Sequence, residues 1–441
     1  MLETATHGSR RFIVYSITLF LYVYISYFVS RTSFGILLPT FTLLFASYLL
    51  LQQSARQENR IKELIILGLL IRFILLFCMP NLTDDFYRFV WDGRITWSGG
   101  NPYAFTPYQL LQNNYDNNSI HGLNKILYNQ LNSKEYFTIY PPLCQGLFAW
   151  SAALSANNVM LQVLWLKFFL FLFECGTVLM LGKVLRDMQL PVYLQFLYIL
   201  NPLVILELSA NIHLESLMIF FLLLAIWALV RKRTLLSAVV FGVAIGVKMW
   251  PLMFLPLLFR YLGWKQALRY CAIACMTGLA LLLPMLLQFR HAAGSFNLYF
   301  RQFEYNASIF YFLKWIIGKD AHYDTFVLMR NILPFLTLAG IGILSFRYKR
   351  VAFFNALLFA FTIFCLFATT VHPWYLTPLV FLSVFSSYRY AIYWSFFIFL
   401  SYSTYRTSAY LENYGLILLE YAAVFLFFLL DLRKQERNTF I

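Results

Sequence analysis

The sequence has little charge and few cysteines, and these shortages exclude several common classes of protein. Charged residues make up 12% of the 441 residues, where about 25% is usual in a soluble chain. The six cysteines form no Cys-x-x-Cys pair, so a zinc site or a disulfide framework is not expected. The sequence also has no Gly-rich phosphate loop, which argues against a nucleotide-driven pump and a cytoplasmic sugar-nucleotide enzyme.

Apolar and aromatic residues, in contrast, are abundant. Hydrophobic residues reach 61% and aromatics 20%, with 47 Phe among them. A soluble domain cannot bury this much apolar surface and still cover itself with polar groups. Lysine and arginine outnumber the acids by 34 to 19, but they occur mainly in short runs between apolar segments, as the positive-inside rule describes. The sequence therefore predicts a polytopic membrane protein and no nucleic-acid partner.

The apolar runs predict one all-α integral membrane unit over residues 1–441, with about 12–14 crossings and both ends in the cytoplasm. Long runs lie at 12–30, 34–52, 61–79, 159–183, 191–208, 213–230, 267–288, 326–346, 351–370 and 415–432, and shorter ones near 143–156, 235–247, 250–260, 374–388 and 390–404. Several charged residues fall inside these spans, where internal ion pairs would offset the cost of their charge, and four of them are singled out. They are Arg72, Lys167, Glu174 and Arg330.

Two long loops are predicted on the outer side, at 80–142 and 290–325, and loops of this length are often functional. Segment 235–260 has basic residues on both flanks but is too short for two full spans. We therefore expect two half-length helices that meet at a break beside Lys248. The run at 143–156 is also too short to cross and is expected to dip in from outside.

The densest polar cluster opens the first outer loop, from Thr83 to Arg94. Thr83 is a good helix cap, and acids are favoured in the first turn that follows it. Asp84, Arg88 and Asp92 are spaced as successive i,i+4 ion pairs on that helix. Two interpretations remain open: a charged interfacial helix, or a catalytic carboxylate from Asp84 or Asp85 held at the membrane surface.

Further polar residues recur near predicted outer ends of spans. Glu207, Asn211, His213 and Glu215 follow the helix-breaking Asn201-Pro202 and lie within one stretch of nine residues. Lys248 is a cation at a helix break, where an anionic phosphate would suit it better than lipid. His372-Pro373-Trp374-Tyr375 follows a long span, and such a histidine can bind phosphate, move a proton or hydrogen-bond structurally.

With these motifs placed, the chain resembles the GT-C superfamily of glycosyltransferases. It is most similar to the polyprenyl-phosphate-mannose-dependent mannosyltransferases of bacteria and archaea. The residues that carry the resemblance are Asp84-Asp85-x-Tyr87-Arg88-x-x-Trp91-Asp92-Gly93, Gly100-Asn101-Pro102-Tyr103, Tyr140-Pro141-Pro142, Asn201-Pro202 with His213 and Glu215, Lys248-x-x-Pro251, and His372-Pro373-Trp374-Tyr375. Each motif is short, but the ordered set is fairly specific to the superfamily and much less specific for the sugar.

The resemblance implies an inverting transfer of a sugar, expected to be mannose, from a polyprenyl-phosphate donor to a glycan or lipid hydroxyl outside the cytoplasm. Because two spans precede the span that leads into the acidic loop, residues 12–52 are interpreted as an additional N-terminal hairpin. The implied catalytic residues are Asp84 and Asp85; those for the donor phosphate are Lys248, His213, His372 and Arg88; those for the substrates are Asp92, Tyr103, Tyr140, Glu215, Trp374 and Tyr375. Some members use a divalent cation such as Mg²⁺ or Mn²⁺, and the sequence does not settle whether this chain does.

A secondary transporter or a flippase of lipid-linked glycans is the alternative, since it also explains broken helices and intramembrane charge. It explains poorly an outer loop of about 60 residues rich in Asp, Arg, Trp and Tyr. Asn81, Asn117 and Asn306 are Asn-x-Ser/Thr sequons on predicted outer loops, and a glycan on Asn81 would crowd Asp84. This favours a bacterial plasma membrane over the endoplasmic reticulum as the location. Membrane lipids are then expected as partners of the chain.

Overall fold

The structure is a computed structural model that describes residues 2–57, 60–112, 122–291, 293–295, 303–318, 322–349 and 352–439. These residues fold into helices joined by short connections, with a single isolated β-bridge between Tyr305 and Thr370. The predicted all-α class is confirmed.

Within the described part of the chain, six helices are long and apolar enough to cross a membrane: Arg11–Phe28, Phe34–Ser54, Val159–Asp187, Trp264–Leu286, Asp324–Arg347 and Tyr414–Glu436. A seventh candidate is the pair Val192–Ile199 and Pro202–Ala210, which is bent by 54° at the break that Asn201-Pro202 predicts. Only 17% of the Tyr414–Glu436 window is buried against the rest of the protein. The open apolar face of this helix suits contact with lipid. Since several helices are long and apolar enough to span a bilayer, the chain is a multi-pass membrane protein.

Shorter apolar helices complete the membrane part: Ile61–Leu75, Glu215–Val230, Thr234–Val247, Trp250–Leu262 and Phe353–Phe367. A helix of about 15 residues is roughly 22 Å long, less than the ~30 Å of a hydrocarbon core. Length alone therefore does not decide which of them cross, and the number of 12–14 crossings stays a prediction. The predicted break is confirmed, because Lys248 is extended at the end of Thr234–Val247 and a 3₁₀ turn follows at Trp250–Phe254.

The remaining short elements lie near the predicted outer loops and near the C-terminus. The first loop contains the acidic helix (Asp85–Trp97) and the helices Pro107–Gln112, Lys125–Gln130 and Pro142–Ala153. The second contains Ile309–Ile317, before the long helix Tyr323–Arg347. The C-terminal part adds Pro373–Leu376, Thr377–Ser383, Tyr390–Phe397 and Ile398–Arg406, before the long helix Tyr414–Thr439.

The N-terminal hairpin, formed by Leu2–Phe28 and Phe34–Ser54, packs on the rest of the chain. The rings of Phe41 and Phe399 stack with centroids 3.6 Å apart. At the turn of the hairpin, the Asn81 side chain donates to Ile25 O at 2.7 Å and to Val29 O at 2.5 Å. These two contacts fix the turn of the hairpin against the start of the acidic loop.

Buried charges are compensated inside the bundle, as predicted. Arg72 donates to Glu174 at 2.9 Å with both side chains almost fully buried. Lys167 donates instead to the carbonyls of Leu75 and Cys78, each at 2.6 Å. These carbonyls end the helix Ile61–Leu75, where the partial negative charge favours a cation.

Two of the predicted sequons are engaged in the fold. Asn81 holds the hairpin, and Asn306 is fully buried with its amide donating to Glu420 at 3.1 Å. A glycan has no room on a buried amide that is already hydrogen-bonded. Asn117 lies outside the described residues.

Candidate active site

The acidic helix begins one residue after Asp84, and this detail changes the predicted pairing. Arg88 and Asp92 form the expected i,i+4 pair at 2.8 Å. The predicted Asp84–Arg88 pair is wrong, because Asp84 lies at the N-cap, outside the regular helix, and its carboxylate contacts Arg31. The hydroxyl of Thr83 accepts from the backbone NH of Asp85 at 3.2 Å.

The two adjacent aspartates point to different partners. Asp84 Oδ2 pairs with Arg31 from the turn of the N-terminal hairpin. Asp85 Oδ1 accepts from the Asn132 amide at 2.9 Å, on an exposed part of the loop. Both carboxylates stay partly accessible, so either is able to meet a hydroxyl group of a substrate.

Arg88 and Asp92, in contrast, hold the loop together. Arg88 also donates to the carbonyls of Ser133 at 3.0 Å and Tyr136 at 2.9 Å. Asp92 is fully buried and accepts from the Gln145 amide at 3.2 Å. The structure therefore engages both residues within the loop, and their predicted substrate contacts stay predictions.

Tyr103 and Tyr140 shape the same loop. The Tyr103 hydroxyl donates to Tyr140 O at 2.7 Å, and His291 Nδ1 lies 3.0 Å from Tyr103 O. Burial raises the pKa of the Tyr103 phenol, so it remains a protonated donor at neutral pH. The Tyr140 ring packs edge-on against Phe89 at 4.8 Å, and a sugar-binding role for either tyrosine stays a prediction.

On the opposite side of the site, Trp374 lies between two imidazole rings. Its ring stacks on His213 at 3.9 Å and on His372 at 4.3 Å, with interplanar angles of 13° and 6°. Tyr375 meets His372 edge-on at 5.4 Å. The structure thus brings His213 against a segment about 160 residues further along the sequence, which contains His372, Trp374 and Tyr375. We call these four residues the histidine stack.

An irregular backbone places His213. The segment Leu206–Ala210 is a π-helix, and such turns are frequent at functional sites. Ile212 is fully buried and has φ of 62°, a left-handed conformation that is costly for a β-branched residue. The strain is held in place by tertiary contacts, among them Asn211 Oδ1, which accepts from the NH of Leu82 at 3.2 Å. That hydrogen bond ties the histidine side to the start of the acidic motif.

Lys248 and Glu215 form an ion pair beside the histidine stack, with Nζ 2.5 Å from Oε1. Glu215 is fully buried, whereas 20% of the Lys248 side chain is exposed. The ammonium also lies 4.9 Å from the Trp250 ring centroid and 5.8 Å from that of Tyr375. The helix break therefore presents a cation within an aromatic wall, and its charge is balanced by one carboxylate.

Three residues of this region were not identified from the sequence: Arg31, Tyr305 and Tyr405. The guanidinium of Arg31 lies 4.9 Å from the Tyr405 ring, and Tyr305 links Tyr405 at 6.0 Å to His372 at 4.6 Å. These contacts connect the aspartates to the histidine stack. The sequence held one signal for Arg31, since it is a cation between two spans on the side where the positive-inside rule expects few.

The described residues bring no three His, Cys, Asp or Glu side chains together to hold a metal ion. The carboxylates of the site contact Arg31, Asn132 and Lys248 instead. The arrangement of these described residues does not fit a resident divalent cation.

The fold and this site define a polytopic membrane protein with accessible carboxylates near a cation and stacked aromatic rings. The family model described as alpha-(1->6)-mannopyranosyltransferase, N-terminal domain, matches residues 16–265. This is more than half of the 441 residues, and the chain belongs to this family.

It is therefore a glycosyltransferase of the mannosyltransferase type, and the resemblance to GT-C mannosyltransferases is confirmed. The match includes most of the N-terminal hairpin, both aspartates, His213 and Lys248, and it ends before His372. Comparisons with curated proteins and with solved structures gave no match.

Proposed function

We propose that the enzyme transfers mannose from a polyprenyl-phosphate donor to a hydroxyl of a lipid- or glycan-linked acceptor, with inversion, on the extracytoplasmic face of the plasma membrane. The observation that carries the proposal is the juxtaposition of Lys248 with the histidine stack, which is joined to Asp84 through Tyr305, Tyr405 and Arg31. A base and a phosphate-binding cation in one site are what such a transfer needs.

On the acceptor side, Asp84 is the proposed general base. A hydroxyl is a weak nucleophile until a base takes its proton, and a positioned base contributes typically about 10²–10⁴-fold. The contact with Arg31 is made by Oδ2. A carboxylate has about four acceptor positions, so Oδ1 is able to take the proton of the incoming hydroxyl. Asp85 is the alternative base, since it shares the accessible start of the acidic helix.

On the donor side, Lys248 is the proposed phosphate ligand. As the bond between the sugar carbon and the phosphate oxygen breaks, the electron pair stays on the phosphate and its charge grows. The ammonium lies at the helix break, where the rings of Trp250 and Tyr375 exclude water around it. Glu215 holds this cation in the free enzyme. His213 and His372 supply ring nitrogens to the same side of the site.

The stereochemistry follows from the family description. A single displacement inverts the sugar carbon, so an α-linked product requires a β-linked donor. The description also names a 1→6 linkage, which corresponds to a primary hydroxyl as nucleophile. We extend both features to this chain as part of the proposal.

The test is an assay of purified enzyme in lipid nanodiscs with a panel of polyprenyl-phosphate sugars and a mannoside acceptor. We expect transfer from the β-mannosyl donor and an α-linked product. The variant Asp84→Asn/Asp85→Asn should lose transfer and keep donor binding, while Asp187→Asn, far along the chain and paired with Arg231, serves as the control. Full turnover by the double variant contradicts the assignment of the base to either aspartate.

The side of the membrane is tested separately by cysteine labelling in intact cells. Ile126 is exposed on the first long loop, and Lys232 lies between Glu215–Val230 and Thr234–Val247. An impermeant reagent should label Ile126→Cys in intact cells and Lys232→Cys only after lysis. Labelling of both from the same side contradicts the proposed orientation.

A further inference from the structure

Arg31 reaches the acidic motif from a distant part of the sequence. It lies in the turn between the two helices of the N-terminal hairpin, 53 residues before Asp84. Its guanidinium has Asp84 Oδ2 on one side and the Tyr405 ring 4.9 Å away on the other. The arginine side chain is 18% exposed and the Asp84 side chain 38%, so the contact is shielded on the arginine side and open on the carboxylate side.

The hairpin turn is not free to move independently of the acidic motif. Asn81, three residues before Asp84, donates to the carbonyls of Ile25 and Val29 in the last turn of the first hairpin helix and just beyond it. Two separate contacts, one through Asn81 and one through Arg31, therefore join the hairpin to the start of the acidic helix. Asp84 itself lies outside the regular helix and makes no i,i+4 contact that would fix its side chain.

We infer that Arg31 is a positioning residue for Asp84, so that the N-terminal hairpin takes part in the active site. This inference depends on the proposed role of Asp84 as the base. The guanidinium is itself fixed by the ring of Tyr405, and it holds one carboxylate oxygen so that the other faces the acceptor. If the Asp84 carboxylate rotated freely, only a few of its orientations would place an oxygen against the acceptor hydroxyl. A catalytic group that is misplaced by about 1 Å can lower the rate by about 10²-fold.

The test compares Arg31→Gln with Arg406→Gln in nanodiscs. Arg406 is a matched control because it also faces the hairpin, with its guanidinium 5.8 Å from the Phe34 ring, but donates to Ser403 O. We expect Arg31→Gln to lower kcat about 10–100-fold with the donor KM unchanged. Arg31→Lys should recover part of this loss, and Arg406→Gln should keep near-normal turnover.

To separate a positioning role from a stability role, the turnover of Arg31→Gln is measured in the wild-type enzyme and in an Asp84→Asn enzyme. If Arg31 acts through Asp84, the substitution should have almost no further effect on turnover in an Asp84→Asn enzyme. A loss of the same size in both backgrounds overturns the inference. So does normal kcat for Arg31→Gln when Asp84→Asn is impaired, while the proposed base remains supported in that case.

Arg31→Met is the second variant, since it keeps an unbranched apolar stem and removes the charge without a new polar group. If Arg31→Gln fails to fold, the same comparison is made with Arg31→Met. Failure of both to fold assigns Arg31 to stability and overturns the positioning role. Normal turnover of Asp84→Asn contradicts the proposed role of Asp84 as the base and is thereby distinguished from a failure of this inference alone.

Discussion

Two arginine–aspartate pairs meet at the acidic helix and its N-cap, and they differ in burial and in origin. Arg88 and Asp92 are four residues apart on one helix, with side chains 4% and 1% exposed. Arg31 and Asp84 come from distant segments, with side chains 18% and 38% exposed. A buried pair with every partner inside the protein stabilises one conformation of the loop. An accessible pair whose carboxylate also meets solvent is suited to meet a substrate.

The largest effect is expected on the rate of transfer, when the accessible pair loses the carboxylate of Asp84. Asp84→Asn keeps the shape and most hydrogen bonds but removes the basic oxygen. We expect folded protein, retained donor binding and transfer lowered by at least about 10²-fold. Initial rates with the β-mannosyl donor measure this. If Asp84→Asn turns over normally and Asp85→Asn does not, the base is Asp85.

Substitution in the buried pair, Arg88 and Asp92, should instead lower the stability of the folded protein. Asp92→Asn leaves the Arg88 guanidinium buried beside a neutral group, and loss of one partner of a buried pair typically costs about 3–5 kcal/mol. We expect a clear drop in the unfolding temperature of the protein in detergent. Asp187→Asn, which breaks an exposed pair with Arg231, should leave it unchanged. A stable Asp92→Asn with selective loss of transfer would move Asp92 into the substrate site.

The pair of Lys248 and Glu215 is intermediate, since its acid is fully buried and its cation is 20% exposed. Lys248→Met keeps the length of the side chain and removes the charge. Because a charge-assisted contact is worth about 1.5–3 kcal/mol, we expect the apparent affinity for the lipid-phosphate donor to fall by about tenfold or more. Equilibrium binding of the donor measures this. An unchanged affinity would contradict the assignment of Lys248 to the phosphate.

The smallest effect is expected from a change in the packing between the acidic helix and the helix Pro142–Ala153 that faces it. A Cβ on Gly93 would lie 2.4 Å from the Phe148 carbonyl oxygen of the facing helix. Gly93→Ala must therefore push the acidic helix away, at a typical cost of about 1–3 kcal/mol. Gly146→Ala is the control on that facing helix, where the added Cβ meets nothing within 4 Å. Equal unfolding temperatures for the two variants would show that the helices are not tightly packed here.

Local patterns in the sequence predicted the parts of the site that depend on neighbours in the chain. The break at Lys248 and the bend at Asn201-Pro202 follow from residues that cannot continue a helix. The Arg88–Asp92 pair follows from helical spacing. The same spacing failed for Asp84 because the helix begins one residue later, and the exact helix start depends on the contacts of the loop.

The sequence by itself determined the class of the protein and the order of its motifs, because hydrophobic length and charge bias are properties of the chain that need no partner. Only the tertiary structure decided which motifs meet. The stacking of Trp374 between His213 and His372, and the contact of Arg31 with Asp84, join segments about 50 to 160 residues apart. Such contacts depend on how helices pack against one another, and no local spacing encodes that packing.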